Sequence, residues 1–379
     1  MASRKRTFRR AVLATLGLAA LFGPAAASGC AVNFAPPSEL DTLRVVSVSV
    51  DKPYVAPISI ADCQADPDKC TVHFNAEVYD GYGVKEGDGE ERNINILWIG
   101  GCFDPPGDQY SLCIFPLLEI FKSASQALDD AVAQGKPPTF PPGLPLGWGK
   151  SFSMVVPDIV SQRPKPEFGP HYGVGYVFFL ACAGKFGLVE TDPSAATNFP
   201  IGCFDKDTGE QLGAESFVPG YTQIYSFEDA RANANPPVES LVFDDTETAE
   251  EATGIVVAPC DVPDSDRNVP PSCSRQDPYE ACEPHAIDVK VPDDVAEIDP
   301  DAKDEKGNQL KESVWVNYYS DVGNFESDIK LVSTPAGEIL KKRTVKWLPP
   351  REPGTATIWA VVRDSRGGST TVRRTVTVK

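Results

Sequence analysis

Thr71-Val-His-Phe-Asn-Ala-Glu-Val-Tyr79 sets Val72, Phe74, Ala76 and Val78 on one side of an extended chain, and His73, Asn75 and Glu77 on the other. Successive side chains of a strand point to opposite faces, so this period of two predicts a strand with one buried and one wet face. The same alternation runs through Leu43–Val50, where Val46, Val48 and Val50 share a side, and through Asn93–Trp98, with Ile94, Ile96 and Trp98. Further strands are expected at Ser151–Val156, Val174–Cys182 and Tyr221–Phe227. Half-buried strands of this kind belong to antiparallel sheets, and six or seven of them make a two-sheet sandwich. Thirty-five prolines and thirty glycines suit such a loop-rich β protein better than a helical one.

One segment departs from the pattern. Between Pro116 and Gln134, Leu117, Phe121, Ala124, Leu128, Ala131 and Val132 recur at helical spacing, with Pro116 placed for a first turn and Gly135 for a C-terminal cap. A helical insertion near 116–135, lying over the first sandwich, is therefore expected. Asn233-Ala-Asn-Pro-Pro237 marks a boundary, dividing a unit of 42–232 from one of 233–379. The second unit opens with a strand at Val238–Phe243 and continues through Ile287–Val291, Ser313–Tyr319, Asp328–Val332 and Arg343–Leu348. It closes with a hairpin of Thr355–Asp364 and Thr370–Val378, joined through Arg366-Gly367-Gly368.

Trp315-Val-Asn-Tyr-Tyr-Ser-Asp-Val-Gly-Asn-Phe325, followed by Pro353-Gly-Thr-Ala-Thr-Ile-Trp-Ala-Val-Val-Arg-Asp-Ser-Arg-Gly-Gly368, resembles a bacterial Ig-like (PKD-like) domain over about the last 95 residues. That resemblance implies a tryptophan on a central strand and a final hairpin that closes the sheet. Tyr176–Gly184 with Cys203 resembles the first Ig-like module of uncharacterised Gram-negative surface lipoproteins. The expected fold is mainly β: two tandem Ig-like antiparallel β-sandwiches, the first with the helical insertion. Both resemblances imply an architecture and no reaction. A short echo, Ile99-Gly-Gly-Cys-Phe-Asp104 against Ile201-Gly-Cys-Phe-Asp205, is either a duplicated cysteine-bearing turn or coincidence.

The first thirty residues speak to location. Arg4, Lys5, Arg6, Arg9 and Arg10 precede an apolar run from Ala11 to Phe22 that is too short to span a bilayer, which reads as a secretory signal over residues 1–29. Arg9-Arg10-Ala11-Val12-Leu13 also resembles a twin-arginine signal. Ala27-Ser28-Gly29-Cys30 resembles a bacterial lipobox, with Cys30 as the acylated (palmitate-type) residue; the alternative is a secreted protein in which Cys30 forms a disulfide. Ala31 rather than Asp follows the cysteine, which within that resemblance implies lipid anchoring in the outer membrane, on its periplasmic or surface-exposed face. Residues 30–41 are expected to act as a tether.

The chain carries 35 basic and 54 acidic residues, and loss of a leader with five cations and no acid takes it from −19 to about −24. Such acidity argues against nucleic acid and anionic lipid as partners. In an exported chain the cysteines read as disulfides. Short spacings expect Cys63–Cys70, Cys102–Cys113 and Cys182–Cys203, with one further pair among Cys260, Cys273 and Cys282 in a Cys-rich loop at 259–283. Of the nine cysteines after Cys30, one is then left over.

His73, His171 and His285 each stand alone, and the sequence holds no Gly-x-Ser-x-Gly, His-Glu-x-x-His or phosphate-cradling loop. Calcium is the cofactor to consider, because hard cations take clustered oxygens. Asp205, Asp207 and Glu210 form one such set, Asp299, Asp301 and Asp304 with Glu305 and Asn308 a second, and Asp261, Asp264 and Asp266 a third, although none of the three matches a full EF-hand loop. Trp148 and Trp347 flank Pro-rich turns as candidates for a sugar platform, against the alternative of packing on proline. The expectation is a non-enzymatic, lipid-anchored cell-envelope protein with a structural or interaction role and an unidentified protein or glycan partner. The alternative is a calcium- or carbohydrate-binding accessory module.

Overall fold

Alternating apolar residues build the first sheet. The computed structural model describes residues 36–86, 91–113, 145–189, 201–248, 254–267, 277–341 and 343–379. In the first half the strands are β1 (Leu43–Val50), β2 (Tyr54–Val55), β3 (Thr71–Asp80), β4 (Asn95–Phe103), β5 (Leu146–Trp148), β6 (Ser151–Val155), β7 (Tyr172–Cys182), β8 (Lys185–Leu188), β9 (Ile201–Phe204) and β10 (Phe217–Phe227). Sheet order is β1-β3-β6 in one layer and β2-β10-β7-β4-β5 in the other, with β8 and β9 as a separate hairpin. Val72, Phe74 and Ala76 of β3 meet Ile96, Trp98, Val177 and Phe179 across the gap. Trp98 stacks on Phe152 at 5.8 Å, and its indole N–H donates to the Gly149 carbonyl at 2.8 Å. Each such fully buried aromatic or aliphatic side chain contributes roughly 1.5–3 kcal/mol.

Strand β7 is buried along almost its whole length, which explains why its sequence is an unbroken apolar run. Its second face lies under another apolar cluster of Leu97, Ile99, Phe178, Leu180, Phe186 and Ile201, in which Cys113, Cys182 and Cys203 also sit. The five-stranded sheet is therefore covered on both sides.

The second half contains β11 (Ser240–Phe243), β12 (Thr246–Thr248), β13 (Val256–Val257), β14 (His285–Lys290), β15 (Ile298–Lys303), β16 (Gln309–Lys311), β17 (Val314–Ser320), β18 (Asn324–Phe325), β19 (Ile329–Ser333), β20 (Val345–Leu348), β21 (Gly354–Asp364) and β22 (Ser369–Val378). Two five-stranded sheets, β12-β11-β14-β20-β18 and β13-β22-β21-β17-β19, enclose one core. Val316, Tyr318, Ile358, Ala360 and Val376 face Leu241, Ile287, Val289 and Trp347 across it. The tryptophan filling this core is Trp347 on β20, not Trp315, which is half-buried on β17 and points away from it.

The two sandwiches touch through a third apolar layer in which Val46 and Tyr79 meet Trp359 and Val361. The rings of Tyr79 and Trp359 lie 5.3 Å apart. Part of the stretch expected as a tether, residues 36–40, packs at this layer. Leu40 is buried in this layer, its amide donates to the Ser320 carbonyl at 3.1 Å, and the Ser320 amide donates to the Ser38 carbonyl at 3.0 Å. Gly81 is obligatory at this crossing, since a β-carbon there would stand 1.9 Å from the Leu40 carbonyl oxygen. Residues 36–40 are thus wedged between the sandwiches. The expected helical insertion at 116–135 lies outside the described residues, as do the leader and Cys30.

Candidate functional site

The outer face of the first five-stranded sheet collects the chemistry. Two disulfides, Cys102–Cys113 and Cys182–Cys203, staple its cover, while Cys63–Cys70 ties a short helix (Ile60–Ala65) to the start of β3. In the late loop Cys260 joins Cys282, and Cys273 lies outside the described residues.

The two copies of the sequence echo meet in one layer. Ile201 and Cys203 share a face by simple alternation. In the longer copy, Gly100-Gly101 forms a bulge in the β4–β7 ladder with Gly101 at φ 86°. The extra residue restores Cys102 to the side of Ile99 and turns Phe103 to the inner core. Both copies deliver an isoleucine and a disulfide cysteine to the same outer layer.

After the bulge, Asp104 and Asp108 sit at φ 44° and 54°, a region that non-glycine residues enter only when held there. The Asp104 carboxylate accepts from the Val174 amide at 2.9 Å and from Arg163 at 3.2 Å. Arg163 also pairs with Asp108 at 3.0 Å, and its guanidinium lies 4.9 Å over the Tyr172 ring. The Tyr172 hydroxyl donates to the Asp108 carboxylate at 2.8 Å, and the Tyr176 hydroxyl donates to the Asp108 carbonyl at 2.6 Å. Burial pushes the Asp104 carboxyl up, against the opposing pull of the Val174 amide and Arg163. Beside this loop opens a cleft of about 570 Å³ lined by Phe103, Asp104, Pro105, Ile159, Gln162 and Arg163.

An aromatic row continues from the loop across β7, β10 and β2. Tyr110 stacks on Tyr221 at 4.4 Å, Tyr176 meets Tyr221 at 5.8 Å, and Tyr54, Tyr172, Tyr225 and Phe227 form an adjoining group. Tyr110 and Tyr221 remain 41% and 42% exposed. Burial, aided by its tyrosine neighbours, pushes the Tyr225 phenol up to about 12, so it stays neutral. The spacing Tyr172-x-x-x-Tyr176 against Tyr221-x-x-x-Tyr225-x-Phe227 is the signal that sequence reading passed over.

The expected sugar-platform tryptophans lie elsewhere: Trp347 is fully buried, and Trp148 packs edge-on against Phe186 at 5.5 Å. The acidic sets do not converge on a shared point. Asp205 turns its carboxylate onto the amides of Asp207 and Thr208 at 2.9 and 2.7 Å, which hold it below the usual range. Asp207 and Glu210 project into solvent. Asp299 and Asp301 lie on strand β15, where Asp301 pairs with Arg231 at 2.5 Å, and Asp304 accepts from the amides of Lys306 and Asn308. Among the described residues no group of three His, Cys, Asp or Glu side chains is placed to hold a metal ion.

A second polar constellation joins the sandwiches. Ser47 and Thr371 hydroxyls lie 2.7 Å apart, Ser369 donates to the Val48 carbonyl at 3.1 Å, and the Asn235 amide donates to the Val50 carbonyl at 2.8 Å. Glu77 receives Arg373 at 3.3 Å and the Trp359 indole N–H at 3.4 Å. Further along, Arg366 at the final hairpin turn reaches the Ala232 carbonyl at 2.5 Å and stands 5.0 Å over the Tyr54 ring.

No family model matches the chain, and no curated protein matches it. Among solved structures, Escherichia coli alpha-2-macroglobulin activated by porcine elastase is 11% identical at a TM-score of 0.18, over 91% of this chain and 22% of that one. The native conformation of the same macroglobulin gives 9% and 0.21, over 90% and 17%, and dimeric latent PorU from Porphyromonas gingivalis gives 9% and 0.18, over 90% and 24%. The chain spans less than a quarter of each. Similarity at this level carries no argument about function.

Proposed function

We propose that the chain is a lipid-anchored, non-catalytic protein of the cell envelope with a structural or interaction role, displaying the stapled aromatic face to a protein or glycan partner. The observation that carries this reading is the exposed Tyr110–Tyr221 pair on a sheet face secured by two disulfides. Tyrosine supplies large, rigid, amphipathic contact area at small entropic cost, which suits recognition more than packing. The seam of polar and apolar contacts between the sandwiches gives that face a fixed support. Disulfides of this density accord with an oxidising compartment, and among the described residues no helix is long and apolar enough to cross a membrane.

Detergent phase separation of whole cells expressing the full-length chain tests the anchor. The wild type is expected in the detergent phase and Cys30→Ala in the aqueous phase. Wild-type protein in the aqueous phase, or a variant that still enters detergent, overturns the reading.

A further inference from the structure

The turn of the last hairpin holds an unbalanced set of charges. Glu312 is buried to 1% side-chain exposure and Arg366 to 6%. The Arg366 guanidinium reaches Glu312 at 3.4 Å and Glu297 at 3.3 Å, and it also donates to the Ile298 carbonyl. Asp364, likewise buried, spends one carboxylate oxygen on the amides of Arg366 and Gly368 at 2.8 Å each and faces the Asn233 side chain. Three carboxylates thus surround one cation, with Tyr54 from the first sandwich beneath it. One guanidinium cannot neutralise three negative charges, and an uncompensated buried carboxylate takes up a proton instead. Glu297 is the most exposed of the three, so water screens it. Burial pushes the Asp364 carboxyl up as well, but the amides of Gly368 and Arg366 and the Asn233 side chain pull against it, whereas Glu312, among the described residues, accepts from one amide only and is the member that takes the proton. Burial is the largest influence on it, and the negative charges of Asp364 and Glu297 add to it, against the Glu297 amide and Arg366; together they push its carboxyl up to about 7.

We propose that Glu312 and Arg366 form a proton-operated latch on the seam between the sandwiches, closed when Glu312 is protonated and loosened when it ionises. The parts that would part are on either side of that seam. Arg366 belongs to the second sandwich, whereas Tyr54 lies on β2 of the first and Ala232 and Asn233 lie in the connection between them.

The direction follows from linkage. The ordinary carboxyl value is 4.5, and the closed form holds the proton more tightly than the open one. Closure is therefore favoured fully below about 4.5 and is lost progressively as pH rises through about 7. The opening equilibrium increases by at most about tenfold per pH unit across that window.

Hydrogen exchange of the intact chain from pH 5 to 8.5, corrected for intrinsic exchange, reads this opening at the amides of Glu297, Arg366 and Gly368. Protection in the wild type is expected to fall by at least tenfold between pH 5 and 7.5 and then level off. Glu312→Gln, which carries no ionisable proton, is expected to abolish the slope. Glu297→Gln, which keeps Glu312 but removes a facing negative charge, moves the decline to lower pH and serves if the first variant fails to fold. A flat wild-type profile, an unchanged slope in Glu312→Gln, or no displacement in Glu297→Gln overturns the latch.

Discussion

The N-terminal sandwich sets a three-stranded sheet over a five-stranded one, whereas the C-terminal sandwich pairs two five-stranded sheets. In the first, the larger sheet has apolar side chains on both faces, and the outer layer is pinned by Cys102–Cys113 and Cys182–Cys203. In the second, one continuous core holds both sheets, and the Cys260–Cys282 bridge lies at its end beside Tyr279 and Leu348. Two covalent links thus hold a separate outer layer onto the larger sheet, whereas the second core is closed by sheet-on-sheet packing with its one described bridge at the end. The contrast teaches that the disulfides of the first half secure a cover rather than the core between its sheets.

Three substitutions bear on that contrast. The largest effect belongs to the packed side: Trp347→Ala empties the centre of the second core and is expected to cost about 3–5 kcal/mol, read by calorimetry as a lower-melting C-terminal transition. A loss below 1 kcal/mol would mean the core is not the support assigned to it. Next comes the stapled side. Replacing both Cys182 and Cys203 by serine opens a loop of 21 residues and is expected to cost roughly 2–4 kcal/mol, confined to the N-terminal transition. An equal drop in both transitions would show that the sandwiches unfold as one cooperative unit and would erase the distinction. The smallest change is at the seam, where Arg373→Ala removes a solvent-exposed partner of Glu77. It is expected to move chemical-denaturation midpoints by no more than about 0.5 kcal/mol; a larger loss would transfer to this pair the holding role given to Leu40, Tyr79 and Trp359.

The strands were largely legible because burial on one face imposes a period of two. Leu43–Val50 has the bounds its sequence expected, and the strands around Thr71, Val174 and Thr355 differ by one or two residues at an end. Strands β8 and β9 were not legible: each is four residues long, contains a glycine, and is placed by a bridge rather than by pattern. Ile298–Lys303 read as a metal loop because its aspartates alternate, yet alternation on a strand puts Asp299 and Asp301 beside each other on one face instead of around a cation. The site was harder still. Arg366 reads as a turn residue, and its partners stand 54 to 134 positions away at Glu312, Glu297 and Ala232. No local pattern encodes encounters at that range, and the wedging of Leu40 against Ser320 is of the same kind.

That wedge limits how the molecule would sit on a bilayer. With residues 36–40 wedged between the sandwiches, the six-residue span from position 30 to position 36 is a leash that reaches at most about 21 Å when fully drawn out. The leash leaves from the middle of the body, not from an end. A group carried at position 30 would therefore stay within that distance of the seam.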